Sequence, residues 1–368
     1  MANVKILVCG DFVAIQPSKI CISDKIKEII EDVDIKICNF EAPISVDGEL
    51  PLPKSGPSLC QSDESPQFLE KIGFNVILAA NNHIMDYGRH SAESTVASFN
   101  NSLVLGVGTP QDAYTCKILQ IKGKKIGILS LCQYEFGIVE SVDDSNDYGV
   151  AWLNSLDVPD IIRKSKQKVD YLLVFPHAGL EEVDIPLPIW RSLYKKFVQW
   201  GADGVVASHP HVQQGWESFE GKPIFYSLGN FYFDALKGSP SWYQSIMVEL
   251  ELGDIITHKI HHVGFDTKGN VYMDETDLRH KHYEYLQSLI EDKNKYNLLL
   301  DEIGKGIIPS YKYSILKGIG GVPFRKLSFS MIIKLFVRSI INRNDGYLLL
   351  NMVRCETHRW LIEKYITN

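Results

Sequence analysis

The chain has 368 residues, of which 45% are hydrophobic and 23% charged, and its formal net charge is -7. That composition supports a sizeable core and excludes wholesale disorder, while the length fits one large domain with an appendage, or two domains. The acidic balance excludes nucleic acid as a general partner.

The chain opens MANVKILVCGDF, an apolar strand that starts almost at once and leaves no space for a signal-peptide core. No apolar stretch reaches the length of a membrane span, so a cytoplasmic location is expected. Short apolar runs then recur, each ending in polar or glycine-containing residues. Residues 4–8 (VKILV) lead into Gly10-Asp11, residues 35–38 into Asn39-Phe40-Glu41, and residues 76–80 (VILAA) into Asn81-Asn82-His83. Residues 171–175 (YLLVF) lead into Pro176-His177, and residues 204–207 into Ser208-His209-Pro210-His211. Runs of this length and type read as buried strands.

Helices are predicted between them. Asp24–Glu31 begins with a candidate capping aspartate, Ser65–Ile72 has Ser65 before Pro66 at the first helical position and Gly73 as its stop, and residues 187–200 end at Gly201. Alternating strands and helices argue an α/β architecture. Residues 124–131, 223–227, 245–252 and 257–263 look like antiparallel sheet, which suggests two packed sheets with helices outside. The seven cysteines are odd in number and contain no CxxC pair. They read as free thiols of a reducing compartment.

Past residue 277 the character changes. The division expected is a domain over 1–277 and a helical, basic extension over 278–368. From residue 310 onward ten Lys or Arg stand against three Asp or Glu, a net +7 that leaves -14 for residues 1–309. Residues 329–341 (FSMIIKLFVRSII) place Lys334 and Arg338 four apart among apolar residues. One reading is a basic amphipathic surface meeting an anionic membrane or an acidic partner. The other is a set of helices folded back on an acidic domain.

The chemistry lies in five strand ends that carry metal-competent side chains: Asp11, Glu41, Asn82 with His83, His177, and His209 with His211. Ligands bind outside the carboxyl ends of strands in α/β sheets. Carboxylate, amide and imidazole together suit manganese, iron, zinc or a similar divalent ion, as one ion or two. Each buried polar group without a partner would cost about 1–3 kcal/mol, and a metal supplies partners. Around this set, Lys54 and Arg89 are candidates for holding an anionic group, with solvated side chains as the alternative. Glu181 is a candidate for orienting His177 or a bound water. Asp86 is a candidate for orienting His83, and Asn230 for pinning loop backbone.

The same residues carry a family resemblance. Gly10-Asp11, the run Asn39-Phe40-Glu41-Ala42-Pro43-Ile44, Gly73-Phe74-Asn75-Val76, and Ala80-Asn81-Asn82-His83 with Asp86-Tyr87-Gly88 form its first half. His177-Ala178-Gly179 with Glu181, residues 207–212 (ASHPHV), residues 221–231 (GKPIFYSLGNF) and Asp234 form the second. Over about residues 3–265 the chain resembles the bacterial capsule-synthesis CapA-type family, associated with poly-γ-glutamate and related polymers, which is similar to the calcineurin-like metallophosphoesterases. The resemblance implies a four-layer α/β/β/α sandwich with a two-metal site at one edge. It implies Glu41 as bridging carboxylate, Asn82, His177 and His209 on one metal, and Asp11 and His211 on the other. It implies His83 as the catalytic histidine and metal-activated water as nucleophile. The phosphoesterase pattern has a histidine two residues after the first aspartate, where this chain has Val13, and a bridging aspartate where it has Glu41. The function expected is a metal-dependent hydrolase or related transferase of capsule or exopolymer biosynthesis, acting on an acidic polymer or on a phosphorylated or amide-linked precursor. The alternatives are a phosphomonoesterase or phosphodiesterase of small substrates, and a non-catalytic accessory subunit of a membrane polymer-synthesis complex.

Overall fold

The computed structural model describes residues 3–318 and 345–367. Two sheets pack face to face. The larger runs in the order Cys21–Ile22, Asn270–Met273, Ile256–Phe265, Gln244–Leu252, Val4–Val13, Ile35–Phe40, Val76–Leu78 and Leu103–Leu105, with Asn230–Phe233 also paired to Val4–Val13. The smaller runs Trp216–Phe219, Lys222–Phe225, Gly204–Val206, Tyr171–His177, Lys124–Cys132 and Lys117–Ile121.

Period-two alternation explains the layering. Along the first strand Val4, Ile6 and Val8 face the inter-sheet core, while Leu7 and Cys9 face an outer core shared with Ile26, Ile30 and Leu69 of the helices Asp24–Glu31 and Ser65–Ile72. Ile162, Trp190 and Phe197, from the helices Val158–Lys166 and Pro188–Trp200, cover the second sheet. The result is the α/β/β/α sandwich. Strands buried on both faces read as continuous apolar runs, which is why they stand out in the sequence.

Three local expectations are corrected. Lys124–Cys132 pairs antiparallel with Lys117–Ile121 but parallel with Tyr171–His177. Lys222–Phe225 likewise pairs antiparallel with Trp216–Phe219 and parallel with Gly204–Val206. Both sit between a hairpin partner and a crossover partner, a distinction their apolar character does not encode. Gln244–Leu252 and Ile256–Phe265 form the antiparallel hairpin expected. Asp24 is not a cap: Ser23 holds that position, and Asp24 lies in the first turn, where its charge favours the helix dipole.

The later helices Asp277–Glu291, Lys293–Gly318, Asp345–Arg354 and Glu356–Tyr365 fold back on the sandwich. Leu286, Leu289, Leu300, Ile308 and Leu361 enter the same apolar cluster as the inter-sheet core. The amphipathic stretch 329–341 lies outside the described residues. Among the described residues, no helix is long and apolar enough to cross a membrane.

Candidate metal centre

The parallel strands end at one edge of the sandwich, and the polar residues that follow them converge there. Asp11 sits at a register shift of the first strand, opposite both Asn39 and Asn230. This strand end approaches the Gly229 carbonyl so closely that a Cβ on Gly10 would lie 1.7 Å from its oxygen, which explains the Gly-Asp pair. Opposite, Gly179 packs on Pro210, where a Cβ would lie 2.6 Å from Cγ. That contact locks the His177 and His209 segments together. His209 and His211 both carry positive φ, 103° and 60°. Such backbone costs about 1–3 kcal/mol per residue and persists where surrounding structure demands it.

The structure brings Asp11, Glu41, Asn82, His177, His209 and His211 together, all buried. Around His177 Nε2 lie Asn82 Oδ1 at 2.9 Å, His209 Nδ1 at 3.1 Å and Glu41 Oε1 at 3.3 Å. Ligands held at about 2.1 Å from one ion and at right angles would be about 3 Å apart, so these spacings fit a common cation. On the other side Asp11 Oδ2 is 3.4 Å from His211 Nδ1, and His211 Nε2 is 3.5 Å from Glu41 Oε1. Two donor groups thus emerge, Glu41 with His177 and His209, and Asp11 with Glu41 and His211, each with its atoms within 4.8 Å. Glu41 belongs to both. Its Oε1 is buried and has no hydrogen-bond partner among the described residues.

The electrostatics match that orphaned oxygen. Burial, with Asp11 alongside, pushes the Glu41 carboxyl well above the usual range. Burial works to raise Asp11 too, but His211, His177 and Asn39 outweigh it and hold Asp11 low. Burial depresses His177 to about 3 and drives His209 down as well, so both rings are neutral and fit to ligate. His211 is raised because Asp11 outweighs its burial. These donors fit one or two divalent ions. Val13, where the phosphoesterase pattern has histidine, is packed in the outer core and adds no donor.

His83 is placed by its neighbours. Its Nδ1 lies 2.7 Å from Asp86 Oδ2, which leaves Nε2 for other chemistry. Asp86 also accepts the amide of Leu59 at 2.7 Å and pairs with Lys54. Burial, opposed by Asp86, lowers His83 below its ordinary value.

Two expectations about cations and one about a carboxylate change here. Lys54 is neither solvated nor free to hold an anion; it is buried, neutralised by Asp86, and 3.2 Å from His83 Nδ1. Arg89 is exposed and bound to Glu93 and Asp147, so the solvated alternative describes it. Glu181 is exposed and, among the described residues, makes no hydrogen bond to His177. His177 Nδ1 instead faces Ser208 Oγ at 3.2 Å and Asn39 Nδ2 at 3.3 Å. Asn230 does more than pin backbone: it bonds the Trp242 carbonyl at 3.2 Å, and its Oδ1 faces His211 Nδ1 at 3.0 Å.

Sequence reasoning missed several supporting residues. The Asn39 amide donates to Asp11 at 2.8 Å, and Asn81 braces Asn39 at 3.2 Å. Both stood inside recognised motifs, so polar residues flanking the ligand positions were the available signal. Gln133 follows the strand Lys124–Cys132 and places its Nε2 2.9 Å from His209 Nε2. Its Oε1 accepts from Thr357 at 2.9 Å and from the Gly179 amide at 3.2 Å. Thr357 and its neighbour Glu356 come from the far end of the chain. Glu356 is buried and accepts from Tyr134 N at 2.8 Å, Trp152 Nε1 at 2.6 Å and Asn154 Nδ2 at 3.1 Å.

Comparison with known proteins bears on this arrangement. The "Capsule biosynthesis protein CapA" of Bacillus anthracis is 28% identical over 229 residues, 59% of this chain and 54% of that protein. The "PGA biosynthesis protein CapA" of Bacillus subtilis (strain 168) is 30% identical over 218 residues, 58% of this chain and 57% of that protein. The chain thus spans little more than half the length of these relatives. Among solved structures, a calcineurin-like phosphoesterase, YfkN from Bacillus subtilis, is similar at a TM-score of 0.39 and 12% identity, covering 70% of this chain and 90% of that one, a likeness too slight to bear on chemistry. The family described as bacterial capsule synthesis protein PGA_cap matches residues 9–235, the segment that supplies every one of the converging donors, and the chain belongs to that family.

Proposed function

We propose that this chain is a metal-dependent hydrolase, or a related transferase, of capsule or exopolymer biosynthesis. The observation that carries the reading is Glu41, a buried carboxylate shared by two donor groups, with one oxygen that nothing in the described chain satisfies. Asn82, His177 and His209 would hold one ion and Asp11 and His211 the other, with Glu41 between. Manganese, iron and zinc all suit this donor set. When bound, such ions polarise a substrate oxygen and favour attack by water.

The chain's own residues have separate tasks in this reading. Asp86 and Lys54 fix the His83 ring so that its free Nε2 can move a proton between water and the leaving group. Asn230 and Asn39 orient His211 and Asp11, and Gln133 orients His209. The substrate class follows from the family and from the names of the two relatives: an acidic polymer of the poly-γ-glutamate kind, or its phosphorylated or amide-linked precursor.

The test combines metal analysis with turnover. His209→Ala and His211→Ala should each lower metal content, whereas His83→Ala should keep the metal and lose turnover of poly-γ-glutamate fragments or of aryl phosphates with manganese. Unchanged metal content in both of the first two variants ends the proposal. Aryl phosphate turnover without action on the polymer would move the substrate to small phosphoesters. Capsule production by His83→Ala cells would indicate an accessory subunit.

A further inference from the structure

A second set of chemically mixed donors lies one side chain away from the centre just described. Glu135, Cys355 and His358 bring a carboxylate oxygen, a sulfur and an imidazole nitrogen within 4.8 Å of one another. They come from opposite parts of the sequence: Glu135 follows the strand Lys124–Cys132, while Cys355 and His358 sit at the start of the helix Glu356–Tyr365. We propose that these three residues form a second, thiolate-containing cation site suited to zinc, which fastens the start of the last helix to the wall of the candidate metal centre.

The surroundings are those of a built site. Tyr311 Oη lies 2.6 Å from His358 Nδ1, which fixes the ring and leaves Nε2 as the donor. An outer partner of this kind accompanies most metal-bound histidines. Gln133 Nε2 donates to Glu135 Oε1 at 3.0 Å, orienting that carboxylate from the side of His209. Cys355 is a free thiol, fully buried. Burial, with Glu135 and Glu356 near it, pushes the thiol up, while the amides of His358 and Thr357 in the first helical turn favour the thiolate. Burial, with Glu181 adding to it, raises Glu135 to about 7. A cation would reverse both tendencies at once, because thiolate and carboxylate bind in their charged forms. Sulfur, nitrogen and oxygen together are a zinc donor set, and three protein ligands leave one tetrahedral position for water.

The signature of this site is sulfur, which none of the donors around Glu41 supplies. The full-length protein would be purified from cells grown with cobalt in place of zinc and its near-ultraviolet absorption and metal content measured. The expected result is a thiolate-to-cobalt charge-transfer band. Cys355→Ser should abolish it and remove one metal equivalent, and His209→Ala should leave it in place. A band absent from the parent protein, or retained in Cys355→Ser, overturns the proposal and leaves only a thiol–carboxyl hydrogen bond. Should Cys355→Ser fail to fold by circular dichroism, Glu135→Gln and His358→Gln carry the test, with at least tenfold weaker cobalt binding expected and full binding in both overturning it. Failure of the Glu41 centre alone would remove metal without touching the band.

Discussion

The strand-end segment and the C-terminal helices reach the same site by opposite routes. Residues 9–235 deliver Asp11, Glu41, Asn82, His177, His209 and His211 from the ends of buried strands, and their polarity contrasts with the apolar runs before them. The helix Glu356–Tyr365 delivers Glu356, Thr357 and His358 from its first turn, and these look like ordinary helix-start residues. At the Glu41 centre the first segment supplies the donors, while the second supplies Thr357, which braces Gln133 beside His209. Side chains that bind directly and side chains that position others respond differently to mutation, so the two contributions are separable.

The largest effect is expected at Glu41. Glu41→Gln should remove both ions of this centre, read by mass spectrometry of the purified protein as a loss that spares only the equivalent held through Cys355, whereas His209→Ala or His211→Ala should each spare one of the two. A Glu41→Gln protein with full metal content would remove the shared carboxylate from the account.

Next in size is Glu356→Ala. It removes the acceptor of three hydrogen bonds from Tyr134, Trp152 and Asn154 and should cost about 3 kcal/mol of unfolding free energy, as charged hydrogen bonds are lost and donors are stranded. Metal content should survive in the folded fraction. If Glu356→Ala unfolds at the same urea midpoint as the parent, the last helix is not anchored through this carboxylate.

Thr357→Val is the finer probe. The hydroxyl touches Gln133, which touches His209, so its loss should weaken metal binding about 10-fold without removing any donor, and Thr357→Ser should restore it. Equal metal affinity in Thr357→Val and the parent would confine Thr357 to packing.

The contrast also explains what was legible. Each donor follows a run such as VKILV or YLLVF, where a polar group stands out against a strand buried on both faces. The layers followed from strand and helix alternation. Pairing direction was not legible for Lys124–Cys132, because one strand serves a hairpin on one side and a crossover on the other. Lys54 was not legible either, since nothing local to residue 54 announces that Asp86 will meet it in a buried pair. Gln133 and Thr357 lie 224 positions apart, and a contact of that span leaves no local periodicity to read.

The smallest effect concerns the seam between sandwich and C-terminal helices. His262, on the strand Ile256–Phe265, packs edge-on against His280 at 4.7 Å and Tyr283 at 5.4 Å, both from the helix Asp277–Glu291. It is buried, and its Nδ1 has no hydrogen-bond partner among the described residues. Burial first, then His280 and Arg279 beside it, depress His262 to about 4, with Asp274 opposing. An unfolded histidine takes up its proton near 6.5. Between those two values the unfolded chain binds more protons than the folded one, so this residue's contribution to stability is full above 6.5 and drains away as pH falls toward 4. His262→Phe keeps the ring contact and removes the titration. Its melting temperature should therefore fall less than the parent's between pH 7 and pH 5, while the metal content of the two proteins at pH 7 stays equal. An identical fall in both would mean that the seam tolerates a charged ring at His262, and that acid loosening of the molecule begins elsewhere.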